Sequence, residues 1–578
     1  MKTFYMELSL KINKTIPFQN EITALSVHKK SVLEDGYVTY IYFNTSEKTI
    51  YIGETKQFLI RHDQHMGEDH FKEGNFNRCI VIFNKGIFTK THAEDLEYIL
   101  INHLIADLPD SKFTLFNRNN GKEQNEYPGK IDIKQKVFME VWTEILYPRG
   151  LVSTLDIEKI RQSILYKYSP FKELTARQYE IEHSILENSS DNHLIHGGAG
   201  TGKTVLLMSL MYKLINEYPD KKIGLVTTSN LLSRFNSILK QLNLSKRLQF
   251  ERAGALISSG IKYDVILVDE AHRLQRNYAK GHPAAKKHFI NQKTSELEML
   301  SNASGNLILF YDQFQSIRPQ DIPRRDFISG TKDYTPYTLE QQLRIISNGE
   351  FDGNDYIKGL FYALGFSDNK EFNPKVFETI NEDSYFGTVD SIKGLFEYLD
   401  EMEGLTTNTT NRVLAGYTRK WVSKSTSKKN AAIIKRNKEI ENEADHEPLP
   451  YDWEEADNKW RWNKSYERWS ELPQSRMEIG CIHAVQGADL DYIGVIVGKD
   501  LMVSKKGLVG VRKYYKDTGG TPLIEGFDEA EFSEFILDIY YVLLTRGISG
   551  CRVYFEDDRV KSYFMKKISE GTKRTIEV

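Results

Sequence analysis

Polar and apolar positions first alternate over residues 37–53, YVTYIYFNTSEKTIYIG, where two runs of β-branched and aromatic residues flank a polar stretch from Asn44 to Lys48. That pattern predicts a β-hairpin. Residues 91–105, THAEDLEYILINHLI, instead repeat their apolar positions with a helical period, with Thr91 as a capping residue and acids in the first turns. A hairpin followed by a helix predicts a small α+β domain over residues 1–125, closed by the polar loop NRNNGKEQNEYPGK, with residues 126–170 as a connector. The pattern changes from about residue 171. HLIHGGAGTGKTVLLMSLMYKLI reads as strand, glycine loop and helix, while KKIGLVTTS, YDVILVDEA and NLILFYD are unbroken apolar runs. Such runs mark strands covered by helices on both faces of a parallel sheet. A second alternating stretch runs from RVLAGYT (412–418) through YIGVIVG (492–498) to CRVYFED (551–557). The expected fold class is α/β, with one parallel-sheet lobe over 171–345 and another over 346–578.

The second lobe carries a charged insertion at about 419–475. Arg419, Lys420, Lys424, Lys428, Lys429, Lys435, Arg436 and Lys438 form a basic run that an acidic run follows, and an exposed helix is expected there. Trp453, Trp460, Trp462 and Trp469, with Tyr466 among them, are expected on the buried face of an amphipathic helix. At 578 residues the chain is too long for one core, and roughly three to four domains are expected. Its 40% hydrophobic and 27% charged content is that of an ordinary globular protein. With a net charge of -3, any surface for a polyanion must be a local groove or stripe. Cys79, Cys481 and Cys551 lie too far apart for a zinc or disulfide pattern, so thiols in a reducing compartment are expected. The histidines show no ligand pair at helical spacing with an adjacent glutamate, and no structural zinc is expected. The start lacks a secretory pattern and no run approaches the roughly 18 apolar residues of a membrane span, so the expected location is cytoplasmic.

Gly197, Gly198, Ala199, Gly200, Thr201, Gly202, Lys203 and Thr204 satisfy G-x-x-x-x-G-K-[ST] between a strand and a helix, the context that a phosphate-binding loop requires. Glycines let backbone N–H groups curl round phosphates at the helix N-terminus. Lys203 is expected to neutralise β/γ-phosphate oxygens of ATP and Thr204 to ligate magnesium. The strand of YDVILVDEA ends in adjacent carboxylates, Asp269 for the magnesium ion and Glu270 for the attacking water. Gln178, in TARQYEI ahead of the loop, can read the adenine edge, and Gln315, in FYDQFQ, can sense the γ-phosphate.

Three further segments complete the series: LEQQLRI (339–345) with Arg344, HAVQGADLDYIGVIVG (483–498) with Gln486, Gly487 and Asp489, and YVLLTRGISG (541–550) with Arg546. In this order the seven segments resemble the motifs of superfamily 1 helicases, and more closely the Schlafen-group helicase-like family, over about residues 170–560. The resemblance implies two RecA-like lobes with ATP between them, Arg344 and Arg546 as arginine fingers, and Gln486, Gly487 and Asp489 at the coupling to nucleic acid. Tyr541 stands where that family commonly has a basic residue, which leaves Arg546 as the finger in that segment.

In the N-terminal unit, Tyr40-Ile41-Tyr42 and Tyr51-Ile52-Gly53 are separated by eight residues; Arg61 and His65 follow, then Glu97 on the expected helix and Asn117. This arrangement resembles the GIY-YIG nuclease domain over roughly residues 36–120, with Tyr40 in place of the first glycine. The resemblance implies that Glu97 binds a divalent metal, with Glu94 as its competitor, that Arg61 holds the phosphate, and that Tyr42, Tyr51 or His65 handles protons. Together these readings describe an ATP-driven nucleic-acid translocase or helicase joined to a metal-dependent endonuclease, with DNA favoured over RNA and defence against phage as a setting. The alternatives are a regulatory ATPase switch with a non-cleaving nucleic-acid-binding N-terminal domain, and an RNA-directed nuclease-ATPase.

Overall fold

The computed structural model describes residues 4–9, 25–83, 88–117, 128–227, 248–276, 294–345, 353–379, 384–405, 409–462, 469–485, 490–517 and 526–572, apart from short gaps between 164 and 173, at 189, at 426 and between 441 and 445. The chain forms two compact units: Met1–Glu182 with Thr204–Pro219, and His183–Lys203 with Asp220–Ser233 and Leu248–Val578. Among the described residues, no helix is long and apolar enough to cross a membrane.

The first unit opens with β1 (Phe4–Ser9), α1 (Val27–Asp35), β2 (Val38–Asn44), β3 (Thr49–Thr55), α2 (Phe58–Gly67), β4 (Arg78–Phe83), α3 (Lys90–Ser111) and β5 (Thr114–Leu115). The strands lie in the order β1-β4-β2-β3-β5, antiparallel except for the β3/β5 pair. The β2/β3 hairpin closes because the Asn44 side-chain oxygen accepts from the backbone N–H of Ser46 and Glu47, an Asx turn. Its register pairs Tyr40 with Gly53 and Tyr42 with Tyr51. Residues two apart share a face, so the three tyrosines pack together with Phe58, Phe71 and Phe76. On the opposite face the Thr39 hydroxyl donates to the Ala93 carbonyl in α3. That helix begins earlier than the sequence suggests: Thr89, not Thr91, is its cap, with its hydroxyl accepting from the His92 N–H.

The second unit holds two sheets. The first contains β6 (His193–Gly197), β7 (Ile223–Val226), β8 (Leu248–Glu251), β9 (Tyr263–Val268), β10 (Ser304–Tyr311) and β11 (Thr335–Leu339), six strands in the order β11-β6-β10-β9-β7-β8 and all parallel. After β6 the chain enters α4 (Lys203–Glu217), and α5 (Arg324–Gly330) lies between β10 and β11. Then follow α6 (Gly353–Leu364) and a seven-stranded sheet in the order β12-β20-β17-β13-β16-β15-β14. Its members are β12 (Phe386–Val389), β13 (Arg412–Ala415), β14 (Trp453–Glu455), β15 (Asn458–Trp462), β16 (Glu478–Cys481), β17 (Leu490–Val497) and β20 (Gly547–Phe555). A separate hairpin, β18 (Leu501–Ser504) and β19 (Gly507–Gly510), and the long helix α7 (Glu529–Leu544) come between the last two. Parallel strands need crossovers, and the alternating apolar runs supply the strands that those crossovers join.

One expectation fails in the charged insertion. Its basic part does form an exposed helix, Lys428–Asn437, but the tryptophans are not on a helix. Trp453 and Trp460 face each other across the antiparallel β14/β15 pair, and Trp462 follows on β15. Tryptophan suits a pleated, half-buried surface, and Ala456, at φ 50°, turns the chain sharply between the two strands. All four tryptophans are buried; Tyr466 lies outside the described residues. The Trp469 ring covers Gly480 on β16, where a Cβ would lie 2.3 Å from it, and its indole N–H donates to Glu478 at 3.0 Å. Gly480→Ala should therefore destabilise the second unit by about 1–3 kcal/mol through overpacking. A thermal melt checks this, and an unchanged midpoint would show that Trp469 moves freely.

Candidate functional site

The glycine loop owes its shape to two residues in the left-handed region, Gly200 at φ 78° and Gly202 at φ 80°. Only glycine takes such angles without strain. Gly200 also lacks room for a side chain, because a Cβ there would lie 2.1 Å from Gln342 Oε1. The segment after β11 is laced onto the loop: Leu343 N donates to Gly200 O at 2.8 Å, and Gln342 Nε2 to Ala199 O at 2.5 Å. Thr201 donates to Gly198 O at 3.0 Å. Lys203 Nζ donates to Gly197 O (2.5 Å) and Gly198 O (2.9 Å) and lies 3.6 Å from Asp312 Oδ2. Thr204 follows it in the first turn of α4.

Asp269 leaves the end of β9 with its N–H donating to Val226 O, and its buried carboxylate accepts from Thr227 at 3.4 Å. Burial first, and the neighbouring Glu270 second, raise it above the usual carboxylate range, while Lys203 opposes them. Glu270 itself sits at φ 51°, a conformation that a non-glycine residue adopts at a cost and one that clusters at functional sites. Its Oε2 finds no hydrogen-bond partner among the described residues. The nearby His272 ring is pushed down to about 3 by burial and so stays neutral.

From the end of β10 a line of polar groups crosses to the other sheet. Gln315 Nε2 donates to Asp312 Oδ2 at 2.6 Å, and Arg546 donates to Gln315 Oε1 at 3.0 Å. Arg546 is 2% exposed. Arg344 donates to the carbonyl of Thr545, the residue before it, at 3.3 Å. Tyr541 points at the loop, so that a Cβ on Gly198 would lie 3.4 Å from its hydroxyl. A cavity of about 300 Å³ opens here between Gly198, Asp312, Phe314, Gln342, Asn354 and Tyr541. The structure thus brings together the 197–203 loop, Gln315, Arg344 and Arg546. Gln178 is engaged in its own helix cap, its amide oxygen accepting from Thr175 N at 2.9 Å. Gln486, Gly487 and Asp489 lie outside the described residues. Gln342 was passed over in the sequence, although the motif that contains Arg344 contains it too.

In the first unit the tyrosines divide. Tyr42 is fully buried and its hydroxyl pairs with His62 Nδ1 at 2.7 Å, deep among Phe58, Phe71 and Phe76. Tyr40, not Tyr42, meets His65: its hydroxyl lies 2.8 Å from Nε2, while His65 Nδ1 pairs with Glu68 at 2.9 Å. A protonated Nδ1 donating to Glu68 leaves Nε2 to accept from Tyr40. The Arg61 guanidinium lies beside Tyr40 and Tyr51, opposing the burial that raises both phenols, Tyr51 to about 12. Arg61 also donates to Gln64 and Glu68. Gly53 allows this packing, since a Cβ there would lie 2.3 Å from the Tyr40 ring. The signal for Tyr40 was present in the sequence, two residues before the tyrosine singled out and on the same strand face.

Glu97 on α3 is buried, and burial, Glu54 and Glu94 together push it up to about 8 against the pull of Arg61. Glu94 instead pairs with Lys90 at 3.5 Å. Asn117 takes both backbone groups of Ile52, at 3.0 and 2.7 Å, and so carries the β3/β5 pairing two residues further. Both Asp269 and Glu97 are buried carboxylates beside other acids, an arrangement whose electrostatic cost a divalent cation relieves. The residues therefore fit a metal at each place. Among the described residues there is no cluster of three or more metal-ligating side chains.

Comparison with known proteins adds two family matches: Schlafen group 3, DNA/RNA helicase domain, over residues 190–557, and GIY-YIG catalytic domain, over residues 36–106. An uncharacterized protein of Saccharomyces cerevisiae is 24% identical over 476 residues, 72% of this chain and 94% of that protein. Among solved structures, the Pif1 helicase from Candida albicans matches at 12% identity and TM-score 0.29 over 70% of this chain and 98% of its own. The DUF1998 helicase MrfA bound to DNA matches at 9% identity and TM-score 0.30, over 68% of this chain and 51% of its own.

The histidine beside Tyr42 yields a pH prediction. Burial pushes His62 down to about 4, whereas an unfolded histidine titrates near 6.5. The folded pKa is the lower one, so folding expels a proton between these values. The contribution of His62 to stability is complete above pH of about 6.5 and is lost as pH falls toward 4. The unfolding midpoint should drop from pH 7 to pH 5, and His62→Gln should flatten that slope by about one proton. An unaltered slope would mean that His62 is already charged in the folded chain.

Proposed function

We propose, from the premise that this chain belongs to the family of Schlafen group 3 DNA/RNA helicase domains and carries a GIY-YIG catalytic domain ahead of that region, that it is an ATP-driven translocase or helicase coupled to a metal-dependent endonuclease acting on DNA. In this reading residues 1–125 are the nuclease, 126–170 a connector, and 171–345 and 346–578 the two RecA-like lobes. The observation that carries the motor is the polar line Lys203, Asp312, Gln315, Arg546, which joins the glycine loop to an arginine from the other sheet. Charge that develops on a transferring phosphoryl group is stabilised by donors already in place and shut off from water.

Lys203 binds the β- and γ-phosphate oxygens of ATP, and Arg344 and Arg546 stabilise the terminal phosphoryl group as hydrolysis proceeds. Thr204 and Asp269 would hold magnesium, which supplies charge neutralisation between the phosphates. Glu270 positions the attacking water and draws its proton; Gln315 reports the γ-phosphate to Arg546. Gln178 reads adenine, Gln486 and Gly487 line the nucleotide site, and Gln486 with Asp489 couples the cleft to the strand. Binding closes the lobes and hydrolysis reopens them.

At the nuclease, Arg61 holds the scissile phosphate and Glu97 would hold the divalent metal, which supplies charge neutralisation there. Tyr40, with His65 behind it and Arg61 beside it, takes the proton-handling role beside Tyr51, whereas the Tyr42 hydroxyl is turned to His62. DNA is favoured because its sugar lacks the 2′-hydroxyl that RNA offers as an internal nucleophile. Cleavage must then activate water, the work for which a metal, tyrosines and a histidine are suited. A motor and a cutter in one chain suit the removal of foreign nucleic acid such as phage DNA.

ATPase and nuclease assays on one preparation test the reading. Lys203→Ala should lower ATP hydrolysis, and Glu97→Ala and Tyr40→Phe should lower cleavage, each by roughly two orders of magnitude. Tyr42→Phe should keep cleavage within a few-fold of wild type. Loss of cleavage in Tyr42→Phe but not in Tyr40→Phe would reverse the assignment. ATPase stimulation by RNA and not by single-stranded DNA would move the substrate class. Equal phage protection by wild type, Lys203→Ala and Glu97→Ala would remove the defensive role.

A further inference from the structure

A second link joins the Asp312–Gln315 turn to α7, the helix that ends two residues before Arg546. Arg324, the first residue of α5, donates to the Gln313 carbonyl through Nε at 3.1 Å and through one terminal nitrogen at 2.8 Å. The same terminal nitrogen lies 3.3 and 3.4 Å from the two carboxylate oxygens of Asp538 on α7. Its guanidinium carbon sits 4.9 Å from the Phe314 ring centroid. Asp538 is almost wholly buried, with 5% of its side chain exposed against 28% for Arg324, so this is no ordinary surface ion pair. Asp538 lies six residues, about 9 Å of helical rise, before Leu544 at the end of α7, and Arg546 follows two residues beyond that end. The turn that carries Gln313, Phe314 and Gln315 is thus gripped twice by the helix that presents the finger: just beyond its end by Arg546 and two turns earlier through Asp538 and Arg324.

Beside the Phe314–Tyr541 ring contact, two polar attachment points set the axial position and rotation of α7 against that turn more closely than Arg546 alone. We infer that Arg324 and Asp538 are positioning residues for ATP hydrolysis, which hold α7 in register with the Gln313–Gln315 turn so that Arg546 is presented to the terminal phosphoryl group. Neither side chain acts on the nucleotide itself. The planar guanidinium is needed because it meets a carbonyl, a carboxylate and an aromatic face at once, which an ammonium cannot do. The small cavity beside the pair, about 70 Å³ between Arg276, Arg318, Asp321 and Phe527 among others, gives water access from one side.

The inference rests on the motor reading above, and the full-length chain tests it by steady-state ATPase kinetics. Asp538→Asn, which keeps shape and removes charge, should lower kcat about tenfold while KM for ATP stays within about twofold. Added to Arg546→Ala, the same change should cost nothing further, because it acts only through Arg546. Arg324→Lys should behave in the same two ways, and serves alone should Asp538→Asn not fold. Wild-type kcat in a folded variant, or losses that multiply in the double variant, would overturn the inference: the pair would then be a fold-stabilising contact. A wild-type chain with no ATPase activity would instead remove the motor reading, and the inference with it.

Discussion

Arg546 donates a hydrogen bond to the neutral amide of Gln315, 3.0 Å away, in a place almost closed to solvent. A guanidinium held by an amide, rather than by a carboxylate, keeps its full charge available to whatever anion approaches. The carboxylate of the series, Asp312, stands one residue further along, where the other end of the Gln315 amide engages it and the Lys203 ammonium faces it. Cation, acid, amide and cation therefore alternate along a line in which no two like charges touch. In a medium of low dielectric that ordering matters more than the strength of any one bond.

The surrounding fold can be understood as support for that line. The all-parallel sheet ends β6, β9 and β10 at a common edge, where the loop, the Asp269–Glu270 pair and the Asp312 turn emerge side by side. Gln342 fastens the exit of β11 onto the same loop, and Arg344 reaches from there to the residue before Arg546. The N-terminal unit works on a different plan. It stacks aromatic rings against a hairpin with His65 enclosed among them, and burial rather than alternation raises the Tyr51 phenol and the Glu97 carboxyl.

Much of this could be read along the chain. Unbroken apolar runs ending in polar residues announced the parallel strands, and the glycine loop needed no more than its spacing. Arg61 is marked by its offset of eight residues from Gly53 and Glu97 by its place on the expected helix, and the GIY-YIG resemblance gives both their proposed roles. What escaped had a common physical cause. Tyr40 and Tyr42 share a strand face, so periodicity cannot tell which one reaches His65; the lie of α2 across the sheet decides it. The tryptophans of the insertion are close enough for a helix, and only the sharp turn at Ala456 makes them a hairpin. Arg324 and Asp538 are 214 residues apart, and no local pattern marks a pair that tertiary packing alone creates.

The ring of Tyr40 lies where a side chain on Gly53 would be, so these two cross-strand positions divide one fixed volume between them. Enlarging either is tolerable only if the other shrinks. The two sites should accordingly drift as a unit, a bulky residue on one strand travelling with glycine on its neighbour, and a substitution that looks conservative at either place depends for its effect on what stands opposite.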